Sequence, residues 1–184
     1  SFDVSTASFV DSFSVSSQEA KPYDVAFNTD GTKMFVVGYI TDAVTEYTLS
    51  TGFDVSTASF VDSFDVSSQE AKPYDVAFNT DGTKMFVLGV AGDDVNEYTL
   101  TTGFDVSTAS FVDGFDISSQ DGEAEGLTFN NDGTKMFVVG DADDDINEYT
   151  LSTRFDVSTA SFVDSFDVSS QEVRPRDVAF SNDG

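Results

Sequence analysis

The chain has 184 residues and a formal net charge of −26, from 34 acidic and 8 basic side chains. Such a surface repels nucleic acids and anionic membranes, so we expect neither as a partner. Cysteine and histidine are absent, which excludes disulfides, thiolate metal sites and Ser-His-Asp catalysis. No apolar stretch approaches the ~20 residues of a membrane-spanning helix. Because the first residue is serine, we expect a processed product or an excerpt of a longer chain.

A 51-residue repeat organises the sequence. The first two units align without a gap and differ at eight positions, and the third aligns in the same frame. A fixed period of this length indicates a repeat architecture. We interpret residues 1–184 as a single array of about 3.6 units: 2–52, 53–103, 104–154 and the partial unit 155–184.

Four strands are predicted in each unit, because short segments with apolar residues at alternate positions are separated by turn residues. Nothing in the unit has helical periodicity over two turns, so the predicted class is all-β. In chain order the strands are Ser8–Val15, Tyr23–Asn28, Lys33–Gly38 and Val44–Leu49, and the next copy of the first strand is Ser59–Val66.

An Asp-Gly turn precedes the most apolar strand of each unit, at Asp30-Gly31, Asp81-Gly82 and Asp132-Gly133. Glycine adopts positive φ at little cost, so these pairs are predicted to close hairpins with the glycine in that conformation.

The stretch from Pro22 to Val36 resembles the YVTN-type propeller repeat, although Asp24 and Thr29 depart from that pattern. The resemblance implies a β-propeller of four-stranded antiparallel blades, with Tyr23–Asn28 innermost and Ser59–Val66 outermost. Four aromatic side chains of the first blade are predicted to be buried: Phe27, Phe35, Tyr47 and Phe60.

The predicted array begins with an outer strand at Ser8–Val15 and ends with an inner strand at Arg176–Ser181. Propellers close with about 4–8 blades, so this ring is not closed by one chain. We expect it to be completed by self-association or by missing repeats. A head-to-tail homodimer with a two-fold axis demands an even blade count, which is eight, or six if the end fragments fold away.

Differences between repeats concentrate in the loops predicted on one face. The outer-to-inner loops are 19–23, 70–74, 121–125 and 172–176, and the second-to-third loops are 39–43, 90–94 and 141–145. Two interpretations stay open: the loops drift because they carry no packing, or they form a diversified binding face.

Acidic residues follow the same face, since the three full units carry net charges of −5, −7 and −10. Ca²⁺ takes six to eight oxygen ligands, so the third unit is a candidate calcium site, the alternative being a solvated acidic loop. The candidate ligands are Asp121, Glu123, Glu125, Asp141, Asp143, Asp144 and Asp145. No other cofactor is predicted.

Some propellers of the resembled kind are lactonases or other hydrolases with a central metal, which requires different residues from different blades. Here the carboxylates recur instead, at Asp24, Asp75 and Asp177 (with Gly126 in the third unit) and again at Glu46, Glu97 and Glu148. We interpret them as solubilising or turn-bonding groups.

The sequence therefore predicts no enzyme. It favours a scaffold for binding or adhesion through the acidic variable face, with a protein or glycan ligand, outside the cell or on a particle surface. The alternatives are a structural repeat array without a discrete ligand and a metal-dependent, lactonase-like hydrolase.

Overall fold

The computed structural model describes residues 4–181. Within them the chain forms three four-stranded antiparallel sheets, which we call blades 1, 2 and 3. Blade 1 contains β1 (Pro22–Phe27), β2 (Lys33–Gly38), β3 (Ala43–Leu49) and β4 (Ala58–Asp65). Blade 2 contains β5 (Pro73–Phe78), β6 (Lys84–Gly89), β7 (Asp94–Leu100) and β8 (Ala109–Asp116). Blade 3 contains β9 (Ala124–Phe129), β10 (Lys135–Gly140), β11 (Asp145–Leu151) and β12 (Ala160–Asp167).

Strand order within each blade follows the chain, from the inner strand through the second and third to the outer strand. The inner strands β1, β5 and β9 are neighbours in space. The predicted strands of blade 1 are confirmed to within one residue at each end. Helical structure in residues 4–181 consists of three-residue 3₁₀ turns, and no helix there is long and apolar enough to cross a membrane.

The core lies between blades rather than inside one sheet. The face of blade 1 that carries Phe35 and Val44 packs against the face of blade 2 that carries Met85 and Tyr98. Blades 2 and 3 repeat this contact with Phe86 and the equivalent residues. Each fully buried apolar side chain contributes about 1.5–3 kcal/mol, so most of the stability comes from these two junctions.

The predicted hairpin turns are confirmed, since Gly31, Gly82 and Gly133 have φ of 70°, 70° and 68°. The sequence did not indicate two further left-handed positions in the repeat, one of which is occupied in blade 2 by Phe104 with φ of 59°. The Phe104 ring lies against Gly82, where a Cβ atom would overlap it. The glycine therefore provides both the turn and the space for this ring.

Of the four aromatic residues predicted to be buried, Phe35 and Tyr47 are confirmed and Phe27 is half-buried. The prediction for Phe60 is wrong, because its side chain is 48% exposed. A bulge between Glu46 and Tyr47 shifts the register of β4 by one residue, so Tyr47 pairs with Phe60 while Val44 pairs with Phe64. This shift puts Phe60 and Phe64 on opposite faces of the strand.

The predicted outer strand Ser8–Val15 and inner strand Arg176–Ser181 are also wrong, because neither segment is a strand in the structure. A strand needs a neighbouring backbone to pair with. The partners of these segments would be a preceding third strand and a following second strand, and neither occurs in residues 4–181. Both segments nevertheless pack against a blade, the first against blade 1 and the second against blade 3.

Candidate functional site

A buried carboxylate joins the two variable loops of blade 1. Glu19 is 1% exposed. Its Oε1 accepts the Lys21 N–H at 2.6 Å, and its Oε2 accepts the Thr41 N–H at 3.1 Å. In blade 2, Glu70 accepts the N–H groups of residues 72, 91 and 92 at 2.6, 3.1 and 3.1 Å. The backbone of each loop pair is thus held while its tip side chains differ.

Asp121 takes the same place in blade 3, but its side chain is one methylene shorter. Its Oδ1 accepts the Glu123 N–H at 2.8 Å, whereas its buried Oδ2 forms no well-aligned hydrogen bond with the described residues, although the Ala142 N–H is near enough to lower its pKa. Burial raises the pKa of Asp121, and the Asp143 carboxylate adds to that effect. The third loop pair is therefore held less completely than the other two.

The structure separates most of the candidate calcium ligands. Asp141 forms an ion pair with Arg174 at 2.6 Å, and Glu125 forms one with Arg176 at 3.2 Å. Asp144 has a left-handed backbone with φ of 56°. Asp145 begins β11 opposite Asp167, while Glu123 and Asp143 are exposed. Within residues 4–181 no three acidic side chains form a group able to hold a metal ion. Calcium binding stays a prediction.

A different cluster forms where the variable loops enter the inner strands. We call it the axial site, because inner strands line the axis of a propeller. It is a cavity of about 190 Å³. Consecutive repeats supply its lining residues from two neighbouring positions, Tyr23 and Asp24, Tyr74 and Asp75, Glu125, and Arg176 and Asp177, together with Pro22.

Aromatic and cationic groups form one side of this region. The rings of Tyr23 and Tyr74 lie 4.1 Å apart between centroids, and Tyr39 packs edge-on against Tyr23 at 6.5 Å. The Lys21 and Lys72 ammonium groups lie 5.4 and 5.9 Å from the centroid of the Tyr39 ring. Because Tyr23 is 42% exposed, part of this aromatic surface is available to a ligand.

The floor of the axial site is a pair of aspartates. Asp24 Oδ2 accepts the Val76 N–H at 3.2 Å, and Asp75 Oδ2 accepts the Leu127 N–H at 2.8 Å, so each aspartate also bonds the next inner strand. Burial raises the pKa of Asp24. Burial and the neighbouring Asp24 raise the pKa of Asp75 well above its usual value. This pair therefore retains a proton at higher pH than an ordinary aspartate.

The repeat pattern changes in blade 3, where Gly126 replaces the aspartate. A Cβ atom at Gly126 would lie 2.7 Å from the Arg176 carbonyl oxygen, so the glycine permits close approach of the segment after blade 3. Arg176 can then pair with Glu125, whose pKa is still raised by burial although Arg176 opposes the shift. On the other side, burial and the hydrogen bond to Tyr23 raise the pKa of Tyr74 to about 12.

Two of the three carboxylates in the second repeated set are not solubilising. Glu46 and Glu97 are 2% and 3% exposed, and they lie in the junctions between blades, away from the axial site. Sequence reasoning missed the axial site because it treated the inner-strand carboxylates as near-identical rings. The available signal was one position of the repeat that reads Tyr23, Tyr74, Glu125, Arg176.

Comparison with solved structures places these blades in a known architecture. The chain superposes with a TM-score of 0.65 and 12% identity on a putative 6-phosphogluconolactonase from Bacteroides uniformis, covering 89% of this chain and 45% of that one. This chain has the β-propeller fold. A β-propeller domain from Myceliophteria thermophila also matches, with a TM-score of 0.55, 9% identity and coverage of 80% and 43%.

A periplasmic gluconolactonase from Pseudomonas aeruginosa matches with a TM-score of 0.54 and 14% identity, covering 79% of this chain and 38% of that one. The chain spans less than half the length of each of these structures. No family model and no curated protein matches the sequence. At such identities the likeness concerns the fold alone, which is the β-propeller that the resemblance implies.

Proposed function

We propose that this propeller chain is a non-catalytic recognition module that binds its ligand through the variable loop face, with the axial site as the pocket. The observation that carries the proposal is the convergence of unlike side chains, Tyr23, Tyr74, Glu125 and Arg176, from one position of a near-identical repeat. Binding sites combine an apolar or aromatic surface with a few placed polar groups, which is the composition found here.

A monosaccharide-sized, polyhydroxylated group suits this pocket best. Its volume of about 190 Å³ is below the roughly 300–1,000 Å³ of pockets that enclose drug-sized ligands. The exposed face of Tyr23 offers a surface for a sugar ring, and Asp24, Asp177 and Arg176 offer acceptors and donors for hydroxyl groups. A glycan is one of the two ligand classes, protein or glycan, that the sequence favours.

The test is saturation-transfer NMR of the 184-residue chain with a panel of hexoses, uronic acids and D-gluconate. We expect at least one of them to bind saturably at millimolar concentration or below. Binding should be lost in Tyr74→Ala and in Arg176→Ala, and retained in Arg154→Ala. Arg154 is a matched control because it is exposed and pairs only loosely with Asp132, at 3.8 Å, at the turn end of the blade.

Two results would overturn the proposal. The first is no binding by any member of the panel, which favours a structural array without a discrete ligand. The second is binding that survives both axial-site variants, which places the ligand elsewhere on the molecule.

Lactone hydrolysis is a second candidate function, favoured by the proton-retaining pair Asp24 and Asp75 and by the names of the structural neighbours. In that reaction water adds to the lactone carbonyl and the ring C–O bond breaks, giving a hydroxy acid. Release of acid from glucono-1,5-lactone above the spontaneous rate, abolished by Asp75→Asn, would support catalysis. An unchanged spontaneous rate supports the non-catalytic module.

A further inference from the structure

The junction between blades 1 and 2 is closed by a three-part polar contact. Lys33 Nζ donates to Glu46 Oε1 at 2.6 Å and to the Phe104 carbonyl oxygen at 2.6 Å. Glu46 Oε2 accepts the Val106 N–H at 3.0 Å. Phe104, whose backbone is left-handed, thus bonds the preceding blade through its carbonyl oxygen. Burying the Glu46 carboxylate costs desolvation free energy, which the ion pair and the additional hydrogen bonds offset.

Blades 2 and 3 repeat this contact atom for atom. Lys84 Nζ donates to Glu97 Oε1 at 2.6 Å and to the Phe155 carbonyl oxygen at 2.5 Å, and Glu97 Oε2 accepts the Val157 N–H at 3.0 Å. The same residues at the same spacing therefore build the same junction twice.

The two flanks of the chain each carry one half of a third junction. On blade 3, Lys135 and Glu148 form their ion pair at 2.7 Å, but Glu148 accepts no N–H from another blade in residues 4–181. The Glu148 side chain is 30% exposed, against 2% for Glu46 and 4% for Glu97. On blade 1, the Phe53 carbonyl and the Val55 N–H do not form the bonds to a lysine and a glutamate of another blade within residues 4–181 that their equivalents at Phe104 and Val106 form.

Exposed apolar side chains lie on the same two flanks, whereas their equivalents inside the junctions are covered. Val25 on the flank of blade 1 is 50% exposed, whereas its equivalents Val76 and Leu127 inside the junctions are 2% and 3% exposed. On the flank of blade 3, Phe166 is 68% exposed. Its equivalent Phe64 packs edge-on against Tyr98 of the next blade at 5.5 Å.

The end segments occupy positions that a neighbouring blade would take. The Phe180 ring packs at a tilt against Phe137 with 4.5 Å between centroids, as Phe78 does against Phe35 at 4.3 Å inside the first junction. Phe13 packs edge-on against Tyr47 at 5.6 Å. Inside the junctions the outer strand of the preceding blade makes the equivalent contact. Residues 7–13 are identical in sequence to residues 160–166, which lie in the outer strand of blade 3. That strand of a second copy therefore brings the same side chains as residues 7–13, and it belongs to a blade with three further paired strands.

We propose that the flank of blade 3 binds the flank of blade 1 in a second copy of this chain, head to tail, by displacing these two end segments. Glu148 then accepts the Val55 N–H of the second copy, and Lys135 donates to the Phe53 carbonyl of the second copy. The occupant is a second copy because both internal junctions already show these surfaces joined with satisfied hydrogen bonds. A pair closed at both flanks contains six blades, within the range of known propellers.

The test begins with light scattering across concentration and salt. We expect a mass near twice 19.8 kDa, or larger open assemblies, because a heterologous contact forms rings or filaments. Association should strengthen with salt, since the repulsion between two chains of net charge −26 is screened within about 10 Å at 0.1 M. A mass of 19.8 kDa at every salt and protein concentration overturns the proposal.

Complementary variants test the head-to-tail geometry. Val25→Asp blocks the blade 1 flank and Phe166→Asp blocks the blade 3 flank, and both positions are exposed enough to leave folding intact. Each variant alone should dissociate at least about tenfold more readily, because a charge replaces a buried apolar side chain. An equimolar mixture should restore a one-to-one pair, since one unblocked flank of each kind remains.

A mixture that stays monomeric, or single variants that still associate as the parent chain does, contradicts the proposal. Glu148→Arg gives a second readout on the polar contact, with Asp143→Arg on the loop face as a charge-matched control. We expect loss of association for the former and association at least equal to that of the parent for the latter. Thermal melts of each variant establish that a monomer is a folded one.

Discussion

Glu70 and Gly92 lie in different loops of blade 2, and the buried Glu70 carboxylate accepts the Gly92 N–H at 3.1 Å. Together with the hydrogen bonds from the backbone N–H groups of residues 72 and 91, this contact holds two variable loops in place. The residue that accepts these bonds is acidic in every repeat. A surface that changes its tip residues while keeping its loop backbones in place is suited to recognition.

This relationship predicts the effect of lengthening Asp121. Asp121→Glu should stabilise the protein by about 1 kcal/mol, because the added methylene lets the buried, unpartnered oxygen reach the second loop as Glu70 does. Glu70→Asp should have the opposite effect by a similar amount. Both changes are measured as shifts of the urea midpoint at constant m-value.

Glu172→Asp is the matched control, since Glu172 is exposed and bonds one backbone N–H, that of Arg174, at 3.2 Å. It should change the midpoint little. A destabilised Asp121→Glu would show that the third loop pair is packed around the shorter side chain.

The second prediction concerns Gly82, where φ is 70° and a Cβ atom would overlap the Phe104 ring. Gly82→Val should cost clearly more than the ~1 kcal/mol separating Gly from Ala in a helix, because a β-branched residue is strained at positive φ. Gly122→Ala is the control, since nothing lies within 4 Å of its Cβ position. Equal thermal shifts for the two variants would refute this account of the turn.

The sequence predicted the class, the period, the order of the strands and the left-handed glycines, because these follow from local alternation and turn chemistry. It could not predict the exposure of Phe60, since the bulge beside Tyr47 reverses the face of the strand and no local residue marks it. It also placed strands at both ends of the array. The alternation of apolar residues is present there, but the strands that would pair with these segments are absent from residues 4–181.

The axial site was harder to recognise for a different reason. Its residues come from four repeats, so they are 51 residues apart in the sequence and meet only when blades stack. Reading the repeats as rings of equal residues hid the change from tyrosine at position 74 to glutamate at 125 and arginine at 176. The acidic run of unit 3 attracted attention instead, and the structure pairs two of its members with arginines.

Calcium binding in those loops is the third prediction. A native-state ligand stabilises by mass action, so the melting temperature should rise with calcium concentration relative to a chelator. Binding requires Asp141 to leave Arg174, so Arg174→Ala should enhance the effect by freeing that carboxylate. Identical melting curves in chelator and in millimolar calcium, for the parent and for Arg174→Ala, would dispose of the site.

The fourth prediction is a pH dependence of stability that arises at the aspartate pair. Burial and Asp24 raise the pKa of Asp75 in the folded protein, so between the usual aspartate value and the raised one the folded chain binds more protons than the unfolded chain. Stability contributed at this position therefore falls as pH rises through that window. The hydrogen bond from the Leu127 N–H opposes this shift, and the Asp177 carboxylate adds to it.

Asp75→Asn removes this penalty, because the amide is neutral, its oxygen can accept the Leu127 N–H and its NH₂ can donate to Asp24. We expect the variant to be more stable than the parent at pH 8 and nearly equal to it at pH 4. The gain is measured as a rise in melting temperature at pH 8 that shrinks towards pH 4.

Asp81→Asn supplies a control with the opposite sign. Hydrogen bonds from the Thr83 hydroxyl and N–H lower the pKa of Asp81, so its contribution is present above the usual aspartate pKa and is lost as pH falls through the lowered value. Asp81→Asn should therefore be less stable than the parent at pH 8, and the difference should shrink in acid. If Asp75→Asn were instead destabilising at pH 8, the buried carboxylate would be contributing bonds that the amide cannot make, and the raised pKa would not govern stability at this position.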